Sequence, residues 1–338
     1  MGTPSCKFEI IHDALEASEN RLSVSELCRI AGVSRSGYYN WLASAELREE
    51  KEARDRADFQ LILEAYTFRG YNKGVRGINM RLLHLTPPVI MNPKKIRRLM
   101  RKYGLNCPIR KANPYRRMAK AMKTSHVSDN LLNREFEAHG PRYVLLTDIT
   151  YIPLNDGFCY LSTILDAFTK QVLSYVLSES LEVDFVLVTV TQLIEKHSAE
   201  LNSDALIHSD QGCHYTSHKF IQILKDKQLR QSMSRRGNCW DNAPQESFFG
   251  HMKDELAEKI PLWNSFQDAK ADIDDWIDYY NNDRYQWQLA KLSPNEFYKY
   301  YISGVYPLQC AHDSPPAIDS APRNAEESLP TARNSEAD

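Results

Sequence analysis

"RYVLLTDITYIPLNDGFCYLSTILDAF", residues 142–168, decides the fold class. Two runs rich in Val, Ile, Leu, Thr, Tyr and Phe flank Asn155-Asp156-Gly157, which is turn chemistry between paired strands. A third run, in "KQVLSYVLSES" (170–180), follows at Thr169-Lys170. Downstream, "VDFVLVTVTQLIEKH" (183–197) has helical texture, and "ALIHSD" (205–210) reads as a short buried strand. A helix from about Ser217, a short strand near 229–232 and a final helix complete the region. Three meandering strands followed by alternating helix and strand predict a mixed α/β sheet. One residue is out of place in the first strand: Asp148, bracketed by Thr147 and Thr150. An ionised acid inside a sheet is unfavourable unless it is paired or bound to metal.

Two further acids stand where they could meet it. Asp210 ends the "ALIHSD" strand just before Gly212, and Glu246 lies on the first turn of the helix in "SRRGNCWDNAPQESFFGHMKDEL" (234–256). Asp241 or Asn242 can cap that helix, and Pro244 suits its first turn. At 100° per residue, Glu246, Gly250 and Lys253 share one face, with Phe249, Met252 and Leu256 on the buried flank. Gly250 leaves room for a DNA backbone, and Lys253 is placed to meet a phosphate. Adjacent strand ends crossed by a helix form the crevice where α/β sheets usually bind ligands. Three carboxylates there suit Mg²⁺, with Mn²⁺ able to substitute. Two such ions, roughly 3.5–4 Å apart, clamp both oxygens of an in-line phosphoryl displacement. A lone acid at a strand end is ordinarily a turn or cap residue, and Asp166, near Lys170, is read that way. His208, Cys213, His214 and His218 lack the paired spacing of a zinc site. His208, His214 and Asn242 remain as substrate-orienting candidates.

The triad gains weight from the rest of the chain. Its 338 residues allow two or three domains, and seven scattered cysteines fit a reducing compartment. No leader pattern and no apolar run of membrane-spanning length is present, so the expectation is a cytoplasmic, nucleoid-associated protein with no membrane partner. From Ala65 to Ser128 there is no Asp or Glu, yet 16 of the 42 basic residues fall there. That segregation is the footprint of phosphate binding, here double-stranded DNA. Upstream, "SVSELCRIAGVSRSGYYNWL" (23–42) pairs a capping box, Ser23 with Glu26, with a break at Gly32 and a second cap at Ser34. This is the outline of a helix-turn-helix, with Arg35 and Ser36 as groove-facing candidates. Within the basic block, "GVRGINMRLLHL" (74–85) and "NPKKIRRLMRKYGL" (92–105) have helical spacing. Ile96, Leu99 and Met100 face inward there, and Lys95, Arg98, Arg101 and Lys102 face outward. The late block holding Arg284, Tyr285 and Trp287 either contacts DNA or packs on the core, and Arg284 is a candidate contact. The expected organisation is a helix-turn-helix module (1–45) and a basic helical module with linker (46–128). A catalytic core (135–262), a C-terminal helical extension (263–305) and a disordered tail (306–338) follow.

"LLTDITYI" (145–152), "IHSDQGCHYTS" (207–217) and "RRGNCWDNAPQESFFGHMKDEL" (235–256) resemble the catalytic blocks of bacterial insertion-sequence transposases with a retroviral-integrase-type Asp-Asp-Glu core. The subgroup resembled is the second-reading-frame product of insertion sequence family three. "CRIAGVSRSGYYNWL", "IRRLMRKYGL" and "YYNNDRYQWQLAKLSPNEFY" resemble its flanking blocks, so the likeness covers about residues 22–300. The resemblance implies a ribonuclease-H-like mixed sheet with helices on both faces, preceded by all-α DNA-binding modules. It also implies metal-dependent cleavage and strand transfer at element ends, with Asp148, Asp210 and Glu246 as the catalytic metal ligands. One ion would lie between Asp148 and Asp210, the other between Asp148 and Glu246, and the family's basic residue falls on Lys253. A homodimer or larger assembly on DNA and a first-reading-frame protein of the same element are the implied partners. Where the family commonly has Tyr-Gly-Tyr-Arg-Arg, this chain has "KGVRG" (73–77), which weakens the transfer of contacts in the second module. The alternative is a DNA-binding regulator or a catalytically inactive transposase remnant. A tyrosine recombinase would need more than the isolated His139-x-x-Arg142 fragment.

Overall fold

A computed structural model of the chain describes residues 3–108, 139–155, 157–234 and 243–308. Asn242, most of the basic linker and most of the expected tail lie outside the described residues. The chain divides into two units, one of Met1–Glu64 with Lys94–Leu105, the other of Ala65–Pro93 with Asn106–Asp338.

In the first unit, α1 (Pro4–Glu16), α2 (Val24–Ala31) and α3 (Arg35–Ala43) close over a small core of Ile11, Cys28 and Tyr38. The local sequence dictates the turns. Ser23 accepts from the Glu26 amide while Glu26 accepts from the Ser23 amide, a reciprocal cap worth about 1 kcal/mol. Gly32 takes the left-handed conformation that ends α2 (φ 65°), and Ser34 caps α3 through the Gly37 amide at 3.0 Å. Long helix α4 (Ala45–Thr67) follows, with α5 (Val75–Leu83) and α6 (Pro93–Lys102) after it. As expected, α6 buries Ile96, Leu99 and Met100.

Helix α5 belongs to the other unit, so the acid-free block is divided rather than forming one module. Its Ile78, Met80 and Leu82 are buried, and His84, just beyond it, stacks on Tyr285 at 3.6 Å. Tyr71 donates to Asp275 at 2.6 Å and stacks on Tyr279, while Arg69 pairs with Asp278 at 2.7 Å.

The sheet of this unit contains β1 (Val144–Leu154), β2 (Gly157–Asp166), β3 (Val172–Ser178), β4 (Leu206–Ser209) and β5 (Arg230–Met233), ordered β3-β2-β1-β4-β5. The first three form an antiparallel meander, and β4 and β5 run parallel to β1. Strand periodicity of two divides the core between the faces. Val144, Leu146 and Ile152 pack with α9 (Ala243–Glu255) and α10 (Phe266–Asn282), including Phe248, Met252 and Trp276. Leu145 and Ile164 pack on the opposite side with α7 (Val183–His197) and α8 (His218–Asp226). A last helix, α11 (Pro294–Ser303), covers Phe168 with Phe297 and Tyr300. This is the mixed sheet that the strand and helix pattern predicts, covered by helices on both faces as the resemblance implies.

Candidate active site

Asp148 lies on β1 with the parity of Leu146 and Ile152, so its side chain projects toward the α9 face. It is half-buried, and its Oδ1 accepts from the Ile149 amide at 2.8 Å. The parallel ladder ends with Leu146 paired to His208, and Asp210 follows β4 directly, near enough for its charge to act on Asp148. Asp210 is exposed, and the Gly212 amide donates to its Oδ1 at 2.9 Å. A Cβ at position 212 would stand 2.9 Å from that same oxygen, so a side chain there would displace the carboxylate. Glu246 sits exposed on the first turn of α9, whose buried stripe is Gln245, Phe248, Phe249 and Met252.

The three acids share one electrostatic environment. Burial is the first cause that pushes the Asp148 carboxyl up, to about 7, and the charges of Asp210 and Glu246 push in the same direction. The Ile149 amide and Lys253 oppose them. Lys253 is half-buried on α9, pushed down by burial and held up by Asp148. Asp148, within β1, thus feels two carboxylates and one cation, Lys253. Among the described residues no group of three or more His, Cys, Asp or Glu side chains is gathered closely enough to hold a metal ion. The donor set is all oxygen, two of its members are fixed by backbone amides, and its excess negative charge calls for a cation. Those properties fit Mg²⁺ or Mn²⁺.

Both candidate orienting histidines have partners within the protein. His208 is fully buried in β4 and bonds Ser232 Oγ through Nδ1 at 3.0 Å, because both faces of this four-residue strand are covered. His214 bonds the Leu181 carbonyl through Nε2 at 2.7 Å and packs against Phe185. Asp166 is structural, as its surroundings suggested. Wholly buried, it accepts from the Arg142 amide and guanidinium (2.9 and 2.7 Å) and from the amides of Phe168 and Thr169.

The expected DNA contacts separate into two groups. Arg35, Ser36 and Arg101 are exposed. Lys95, Arg98 and Lys102 instead meet acids of α4: Asp58 at 2.5 Å, Asp55 at 2.6 Å and Asp55 at 2.9 Å, respectively. The Arg98 guanidinium and Lys102 ammonium hold Asp55 well below the usual carboxylate range. Arg284 is also turned inward, over Tyr280, and donates to Glu255 at 3.0 Å. Glu255 ends α9 and accepts a second bond, from Trp276 Nε1, at 3.0 Å. Of Arg284, Tyr285 and Trp287 only Trp287 is exposed, since Tyr285 lies against His84.

Three participants are absent from the sequence reading. Gln245 is fully buried and donates from Nε2 to Thr163 Oγ1. Thr163 is the cross-strand partner of Asp148. Tyr215, 2% exposed, lies near Asp148 and Asp210, and burial first and their charges second hold its hydroxyl neutral. The available signal for Gln245 was its place, three and four residues before Phe248 and Phe249, as a polar member of an apolar stripe.

Family models match the chain in three places: an integrase core domain at residues 138–239, a second integrase core domain at 227–294, and an HTH-like domain at 52–113. An insertion element IS600 31 kDa protein of Shigella sonnei is 30% identical over 81% of this chain and 98% of its own length. The putative transposase InsK for insertion sequence element IS150 of Escherichia coli (strain K12) is 32% identical over 81% and 93%. Transposase InsF for insertion sequence IS3A of the same strain is 28% identical over 84% and 96%. These alignments run almost from end to end of the relatives, and the integrase core covers the acid-bearing sheet; the chain belongs to the insertion-sequence transposases of family three.

Proposed function

We propose that this chain binds the terminal repeats of an insertion sequence and catalyses metal-dependent DNA cleavage and strand transfer through Asp148, Asp210 and Glu246. The observation that supports the reading is that Asp210, Glu246 and Lys253, brought from three separate stretches of the sequence, all act electrostatically on Asp148. Two Mg²⁺ ions held by the three carboxylates would supply an activated water or 3′-hydroxyl and stabilise the departing 3′-oxygen. The chain's own residues do the rest. The Ile149 and Gly212 amides hold one oxygen each of Asp148 and Asp210, leaving the other oxygens to turn toward the crevice. Lys253 keeps Asp148 nearer its ionised form and offers a cation to the scissile strand's phosphate. Gly250, exposed and with open space where a Cβ would be, lets the backbone of that strand approach α9. No protein nucleophile is needed, so no Ser, Cys or Tyr becomes linked to DNA.

The exposed Arg35, Ser36 and Arg101 of the first unit serve as DNA contacts in this reading, and Lys95, Arg98 and Lys102 serve that unit's own stability. Joining two element ends calls for a dimer or larger assembly, and a first-reading-frame protein of the same element is the proposed partner. No helix of the described residues is long and apolar enough to cross a membrane. A place in the cytoplasm, at the nucleoid, belongs to this reading because the reaction needs access to chromosomal DNA. The test is cleavage of a labelled duplex carrying the element's own terminal repeat, in Mn²⁺ and in chelator, by wild type and Glu246→Gln. Nicking that requires both the metal and Glu246 is expected. Binding without nicking, with the first-frame fusion equally inert, would favour a regulator or an inactive remnant.

A further inference from the structure

Glu246 owes its chain position to α9, and Gln245 is the one polar side chain in that helix's buried stripe. Phe248, Phe249 and Met252 bury the helix against the sheet and α10, yet apolar contact is non-directional. It sets the depth of the helix better than its rotation or its slide. A hydrogen bond prefers a narrow range of angle and distance, and here there is one. Gln245 Nε2 donates to Thr163 Oγ1, and both residues are fully buried. Thr163 is directly opposite Asp148 in the β1–β2 ladder. Directly opposed residues of an antiparallel pair project from the same face. The hydroxyl that receives Gln245 therefore stands beside Asp148, while the residue after Gln245 is the third acid. The amide is retained at a disadvantage, since Gln245 Oε1 is buried with no hydrogen-bond partner among the described residues. A buried amide left half-satisfied is less favourable than an apolar side chain of similar size.

We infer that the Gln245–Thr163 bond is a positioning device that sets Glu246 over Asp148, so that both carboxylates can serve one metal ion. Neither Gln245 nor Thr163 touches metal or DNA in this scheme. The inference rests on the proposed Asp-Asp-Glu centre, and its test separates the two. Mn²⁺ binding to the full-length chain is followed without DNA, by loss of the free-ion paramagnetic resonance signal. Duplex binding and thermal unfolding in chelator run alongside. Gln245→Leu and Thr163→Val should each weaken Mn²⁺ binding about ten-fold or more, with duplex affinity unchanged. The double variant should be no worse than either single one, because both remove the same bond. Thr163→Ser, which keeps the hydroxyl, should bind Mn²⁺ as the wild type does. If Gln245→Leu fails to fold, Thr163→Val against Thr163→Ser decides alone. Wild-type Mn²⁺ affinity in Gln245→Leu and Thr163→Val, or losses that add in the double variant, would overturn the positioning role. If Asp148→Asn and Glu246→Gln lose Mn²⁺ while those variants keep it, only the positioning role falls. If Asp148→Asn and Glu246→Gln also bind Mn²⁺ normally, the proposed centre falls and the positioning role with it.

Discussion

Replacing Asp148 by Asn should stabilise the metal-free protein at alkaline pH. Burial and two neighbouring carboxylates push the Asp148 carboxyl from its ordinary 3.8 up to about 7. A raised pKa means that the folded chain holds a proton the unfolded chain releases. The stability this group contributes is complete below about pH 4 and is lost as pH rises through about 7. A rise of that size corresponds to about 4 kcal/mol, as a ceiling. Asp148 is only half-buried and its acidic neighbours are exposed, so water screens the charges and brings the expectation to about 2 kcal/mol. Asn has nearly the same shape and can still accept from the Ile149 amide, so it removes the charge and little else. Urea unfolding in chelator, followed through the fluorescence of the buried Trp263 and Trp276, reads the difference. Asp148→Asn should exceed wild type by about 2 kcal/mol at pH 8 and match it near pH 4. Saturating Mn²⁺ should then stabilise the wild type and not the variant. An Asn variant less stable than wild type at pH 8, or a difference that ignores pH, would refute the reasoning.

Three further outcomes are expected. Asp166→Ala leaves the buried Arg142 guanidinium without its closest carboxylate and should lower stability by about 3–5 kcal/mol in the same urea assay. Arg284→Met should destabilise the chain, yet leave the salt dependence of duplex binding as it is, because the guanidinium is held by Glu255; gel shifts across a salt series measure the slope. Lys253→Ala removes the cation that holds Asp148 down, so the acidic limb of the pH–rate profile for cleavage should move to higher pH, while Lys253→Arg holds it in place.

The catalytic half of the fold was readable because its signals are local. An acid inside an apolar strand, a glycine after a strand-end acid and a helix with one polar face each carry their meaning within a few residues. The helix-turn-helix was readable for the same reason, through Ser23, Glu26 and Gly32. What stayed hidden depends on partners distant in sequence. The acid-free block seemed wholly available to DNA, yet Arg98 meets an acid 43 residues upstream, on a helix that reads as solvent-exposed. His208 follows the same logic. A strand of four residues buried on both faces shows no alternation, so nothing in "LIHS" says that its imidazole points into the protein. Arg284 and Trp287 are near neighbours in one aromatic-basic segment, and only packing against Glu255 separates the inward one from the outward one.

Glu255 also fixes how far the catalytic part of the chain extends. All three acids lie before residue 262, where the expected core ends, so a protein cut there would retain every group of the proposed centre. It would lose Trp276 and Arg284, the two side chains that grip the far end of α9. It would lose Tyr280 as well, which packs on Phe248 midway along the helix. Asp148 would keep its place, because the backbone ladder of the sheet holds β1. Glu246 and Lys253 would ride on a helix with one side unsupported. The shortest fragment that behaves as an enzyme should therefore reach through α10 to Arg284, although every residue of the proposed centre lies at or before Lys253.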